Sequence, residues 1–297
     1  EEVADLGLAT EHGIHKKGVF YISDFSKEEI QLLNLKGIAH EILIEDVKKH
    51  YVDQNKVVAK TIERSSGCVS NKIEYDAPSG FSLGTMGGFF TYQEMLNHLD
   101  TMVANYPNII SSIDTLNYPS REGRPILWLK ISDNPNVNEV EPHILYNSIH
   151  HAREPNALSQ NIFYMYYLLE NYATDPEVKY LVDNTEMYFV PCINPDGYIY
   201  NQTTDPNGGG MWRKNRRDNL NGSFGVDLNR NYGYSWGFDN VGSSGNTNSD
   251  TYRGDSAFSE PETQSMRDFC NDHEFKIAMN YHTYGDLLIY PWGYDYS

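Results

Sequence analysis

Apolar residues in the larger, C-terminal part of the chain come in short, nearly unbroken runs. RPILWLKIS (124–132), EPHILYNSI (141–149), EMYFVPCI (186–193) and FKIAMNY (275–281) read as strands buried inside a sheet. Helical segments alternate with them. Thr91 and Glu94 form a capping pair for a helix running to about Tyr106, ALSQNIFYMYYLLENY (157–172) is a long apolar helix, and Ser259 and Glu262 cap a helix through Asp272. This alternation predicts an α/β fold with a mixed, mostly parallel central sheet and helices on both faces.

The N-terminal pattern is different and more compact. GVFYI (18–22) reads as a strand, and SKEEIQLLNLKG (26–37) as a helix with a Ser26/Glu29 capping box and Gly37 as its stop. GIAHEILIE (37–45) alternates as a second strand, so a small α+β unit is expected, completed by the mixed segment 46–64. SSGCVSNKIEYDAPSGFSLGTMGG (65–88) is rich in Gly, Ser and Pro and reads as a linker, with protease-sensitive points near Arg64 or Lys72. The 297 residues suit one large domain with such an appendage.

Composition narrows the partners. Charged residues are 22% and apolar ones 39%, and no run of 18 apolar residues exists, so neither a transmembrane helix nor a membrane partner is expected. A net charge of −18 argues against nucleic acid. The basic run WRKNRR (212–217) stands out on that acidic background and reads as a pocket for negative charge on a substrate. Three cysteines without a C-x-x-C exclude a disulfide scaffold and a thiolate zinc site. The opening EEVADLG has no basic-then-apolar leader, as expected of a chain whose signal peptide has been removed. With 23 tyrosines and Asn/Gly/Ser-rich loops, this suggests a secreted or extracellular protein, a periplasmic one included.

Chemistry concentrates where strands end. NSIHHAREPNAL (147–158) offers His150 and His151 ahead of Glu154, at H-x-x-x-E and H-x-x-E spacing; either imidazole could share a metal with that carboxylate. Loops at the carboxyl ends of strands form sites in open α/β sheets, and His282 directly follows the strand 275–281. Two histidines and a glutamate make a catalytic zinc set with one position left open.

The motifs HARE (151–154), NPDGY (194–198), MWRKNR (211–216), VDLNRNY (226–232), YRGDSAFSEPE (252–262) and YHTYGDLLIYPWGY (281–294) occur in one order and spacing. In this the chain resembles the M14 zinc carboxypeptidases of the carboxypeptidase A/B/T (funnelin) group, from about residue 85 onward. The resemblance selects H-x-x-E and implies His151, Glu154 and His282 as zinc ligands, with Asp227 orienting His151. It implies Arg213 as the oxyanion donor and Asn229 and Arg230 as the clamp on a substrate's terminal carboxylate. Arg153, Thr283 and Tyr284 match groove positions. Gly210 stands where many members carry a further arginine.

The resemblance further implies a zinc-dependent metallocarboxypeptidase acting on the C-termini of peptides and proteins, made as a secreted zymogen. Residues 1–80 would be a pro-domain-like segment with its linker, and 81–297 the catalytic domain, incomplete at its C-terminus. The family's general-base glutamate lies tens of residues past the second zinc histidine, and no glutamate follows His282 here. The expectation is a fragment, or one chain of a nicked protein whose C-terminal remainder stays associated as a partner. Two other readings are an inactive carboxypeptidase-like peptide-binding domain and a related zinc amidohydrolase.

Overall fold

The computed structural model describes residues 2–10, 13–16, 18–58, 76–285 and 287–290, with only the backbone over 54–58. The proposed cleavage points at Arg64 and Lys72 lie outside these residues.

A five-stranded sheet runs in the order β3 (Asp114–Thr115), β4 (Leu127–Ile131), β6 (Glu186–Val190), β5 (His143–Ser148), β7 (Phe275–Tyr281). β3 with β4 and β4 with β6 are antiparallel; β5 pairs in parallel with both β6 and β7. The sheet is therefore mixed, and its parallel part carries the site. Alternate residues of a strand face opposite sides, and both sides are covered here. Ile144, Met187 and Phe189 pack with Leu99 of α3 (Tyr92–Asn105), Ile162 of α4 (Pro155–Asn171) and Val182 of α5 (Pro176–Asn184). Leu145, Tyr188 and Val190 face the other way, into a cluster with Met266 and Phe269 of α7 (Pro261–Asp272). β7 is the exception: it lies at the sheet edge, with Ile277 53% exposed.

Proline sets where the later helices begin. Pro155, Pro176, Pro195 and Pro261 stand in the first turns of α4, α5, α6 (Pro195–Thr204) and α7, where a missing N–H costs nothing. This corrects the expected Ser259/Glu262 cap. Glu260 is the N-cap residue and makes no side-chain cap bond, while the Ser259 hydroxyl donates to Glu260 Oε1 and accepts from Asn231 Nδ2. The Thr91/Glu94 and Ser26/Glu29 capping boxes both form, the second opening α1 (Lys27–Leu35).

The N-terminal unit is α+β, but not the β-α-β expected. β1 (Ile14–Lys16) and β2 (Phe20–Ile22) make an antiparallel hairpin ahead of α1 and α2 (Val47–Val58). Residues 37–45 form no strand: Ile42 and Leu43 are 56% and 62% exposed, with no strand paired to them among the described residues. Residues 2–10 lie against the loop at 240–251, where Gly242 donates to Ala4 O and the Thr251 hydroxyl to Gly7 O. The described end of the expected linker, 76–88, packs closely: Met86 is in the core, and the backbone N–H groups of Ser79 and Gly80 donate to Glu170.

Candidate metal centre

His151 and Glu154 lie on the turn between β5 and α4, and His282 follows β7, the strand beside β5. Parallel pairing of Ser148 with Tyr281 brings these two strand ends level, which is why residues 131 apart in sequence meet. His151 Nδ1 is 2.7 Å from Glu154 Oε1, His282 Nδ1 is 2.9 Å from Glu154 Oε2, and the two Nδ1 atoms are 3.1 Å apart. Zinc–ligand bonds of 2.0–2.2 Å in a tetrahedron set donor atoms about 3.3 Å apart, so these three side chains fit around one ion. They form one of two such donor groups among the described residues; the other, Asp133, Glu139 and Glu141, is all carboxylate.

Protonation follows from the neighbours. Asp227 Oδ2 accepts from Arg213 Nε at 3.0 Å and Nη2 at 2.8 Å, and Oδ1 accepts from the Asn229 N–H at 3.0 Å. Burial alone would raise this carboxyl, but Arg213 and His151 hold it well below the usual range, so it is an anion. His151 Nε2, 3.2 Å from Oδ1, donates to this anion, and Nδ1 is the nitrogen turned toward Glu154 and His282, where a metal would be held. His150, adjacent in sequence, points elsewhere: its Nε2 is 2.8 Å from the Tyr232 hydroxyl.

Arg213 is held on both sides. Its guanidinium is buried on Asp227, and its carbonyl accepts from the Ala152 N–H at 3.0 Å. Asn215 adds a second tie, exchanging backbone and side-chain bonds with Val226 just before Asp227. Arg230 donates through Nε to Gly242 O at 2.7 Å and through Nη1 to Asn229 O. Arg153 Nη1 reaches Asp250 at 3.1 Å, the Thr283 N–H faces Glu154 Oε2 at 3.3 Å, and Tyr284 lies within electrostatic reach of Tyr51 of the N-terminal unit, whose hydroxyl donates to Asp24. At Gly210 a Cβ would lie 2.7 Å from Asn201 Oδ1, so Asn201 occupies the space a side chain there would need.

Fold and geometry define a histidine–glutamate–histidine centre at the strand ends of a mixed α/β sheet, with His151 and Glu154 buried and His282 partly exposed. The family model for zinc carboxypeptidases of the M14 peptidases matches residues 95–297, and the chain belongs to that family. A zinc carboxypeptidase of Saccharothrix mutabilis subsp. capreolus is 35% identical over 228 residues, 75% of this chain and 50% of its own length. Carboxypeptidase A1 of Rattus norvegicus is 33% identical over 265 residues, 88% of this chain and 57% of its own. The crystal structure of carboxypeptidase A from Helicoverpa armigera has a TM-score of 0.66 at 28% identity, covering 87% of this chain and 58% of its own. The chain thus spans little more than half the length of these relatives. Family and donor set together make zinc the metal of this site.

Proposed function

We propose that this chain forms the zinc-holding part of a secreted metallocarboxypeptidase that hydrolyses the C-terminal peptide bond of peptides and proteins. The observation carrying this reading is the convergence of His151 Nδ1, Glu154 and His282 Nδ1, with the other nitrogen of His151 committed to Asp227. Zinc held by these residues supplies Lewis acidity toward a scissile carbonyl and toward water. Arg213 donates to the negative charge that develops on that carbonyl oxygen, an interaction worth ~10²–10³ in rate. Asn229 and Arg230 hold the terminal carboxylate, for which a planar guanidinium is the suited partner. Such a clamp admits only a chain end. Arg153, Thr283 and Tyr284 line the groove.

Residues 1 to about 80 act in this proposal as the inhibitory cover of a zymogen. Two proximities support it: Tyr51 lies within electrostatic reach of Tyr284, and Glu29 within that of Arg153 and Asp250. On the resemblance to the M14 family, we assign the general base to a segment beyond these 297 residues. The exposed edge of β7 is where such an associated remainder would add its strand.

The test compares a blocked dipeptide bearing a free C-terminal carboxylate with its amide, using the longer protein after the N-terminal cover has been cleaved away. Zinc-dependent cleavage of the acid alone is expected. Equal cleavage of both would remove the clamp, and cleavage indifferent to chelator would remove the metal assignment.

A further inference from the structure

The NPDGY motif contributes nothing to the metal set or to the clamp, yet its first residue is fully buried against the backbone that presents His151. Ile149, between β5 and His150, has φ of 56° and no exposed surface. A β-branched residue in the left-handed region is an outlier that persists only when its surroundings force it. Here residues 193 and 194 supply the force by taking three successive carbonyls. The Ile193 N–H donates to Ser148 O at 3.2 Å, the Asn194 N–H to Ile149 O at 3.0 Å, and Asn194 Nδ2 to His150 O at 3.2 Å.

The amide of Asn194 is itself fixed. Its Oδ1 accepts from the Gly197 N–H at 3.0 Å, capping α6, so the NH₂ end must face His150. Gly197 is pressed against the same segment: a Cβ there would lie 2.9 Å from Ala152 Cβ and 2.8 Å from Asn194 Nδ2. On its far side Ala152 is bonded to Arg213 O. Gripped this way, the turn sends adjacent histidines apart, His150 to Tyr232 and His151 to Glu154 and Asp227.

We propose that Asn194 is a positioning residue for the metal: it locks the left-handed turn at Ile149 and so aims His151 Nδ1 at Glu154 and His282. The proposal rests on the metal-centre reading but fails separately from it. Asn194→Ser and Asn194→Asp both keep an oxygen to cap α6 while removing the donor to His150 O. Zinc affinity of the full chain is measured by chelator competition well below the melting temperature, alongside the thermal melt of the metal-free protein. Both variants should melt cooperatively without metal and bind zinc 10- to 100-fold more weakly, the range seen when groups that orient a ligand are lost. Zinc dissociation constants within twofold of the parent would overturn the proposal. So would loss of cooperative melting in both variants, because Asn194 would then hold the fold rather than aim the ligand. A parent chain that bound no zinc would instead defeat the metal-centre reading.

Discussion

Asp227 offers one carboxylate oxygen to His151 Nε2 and the other, twice, to the Arg213 guanidinium, and all three side chains are fully buried. Asp227→Asn should weaken zinc binding 10- to 100-fold by withdrawing the anion that polarises His151. It should also destabilise the protein by about 3–5 kcal/mol, because Arg213 is left as an uncompensated buried charge. Chelator competition and urea unfolding read the two effects independently. An unchanged zinc constant would mean that His151 needs no orienting anion.

The adjacent histidines should separate cleanly. His151→Ala should abolish stoichiometric zinc. His150→Ala should retain it and lose about 1–3 kcal/mol of stability, since the Tyr232 hydroxyl is left without its partner. Metal analysis of the purified variants decides; equal zinc content in both would defeat the ligand assignment.

Glu262 gives a pH dependence of known sign. Burial, assisted by Glu260 and Asp196, pushes its carboxyl up to about 7, against bonds from backbone N–H groups that act the other way. The unfolded value is 4.5, so between these two values the folded state holds more protons than the unfolded state. Stability from this group is complete below the unfolded value and is lost as pH rises through about 7. The loss is on the order of 3 kcal/mol at most. Glu262→Gln, locked neutral, should flatten this fall. Urea midpoints at pH 5 and pH 8 should converge in the variant relative to the parent, and parallel shifts in both proteins would exclude Glu262 as the source.

The contact of residues 2–10 with the 240–251 loop can be broken at one position. Gly7 has φ of 71°, and a Cβ there would lie 2.7 Å from Ser243 O. Gly7→Val should detach the segment, the left-handed backbone alone costing about 1–2 kcal/mol. Hydrogen exchange at the Gly242 amide, which donates to Ala4 O, should then speed up while core amides of β5 and β6 stay protected. Unchanged exchange at Gly242 would mean the segment stays docked.

Much of this architecture was legible because local signals agreed with tertiary burial. The strands at 124–132, 141–149, 186–193 and 275–281 and the Thr91 and Ser26 caps all appear where pattern and chemistry put them. Residues 37–45 misled because alternation states only that a segment could pair, and no strand pairs with it among the described residues. β1 was missed because three exposed residues carry no apolar pattern. α5 and α6 were missed although Asp175–Pro176 and Asn194–Pro195 each combine a cap with a following proline. The convergence of His151, Glu154 and His282 follows from strand register, which spacing along the chain does not carry. The left-handed turn at Ile149 had no signal at all, since isoleucine is the residue least expected there.

The bond from the Thr251 hydroxyl to Gly7 O joins residues 244 apart in sequence. On a ribosome adding roughly 5–20 residues per second, the N-terminal segment emerges on the order of 10–50 s before the loop that receives it. Through that interval its buried faces at Ala4 and Leu8 have nowhere native to dock. Nascent chains stalled before residue 240 should therefore expose this segment to added protease, and chains stalled well past 251 should shield it.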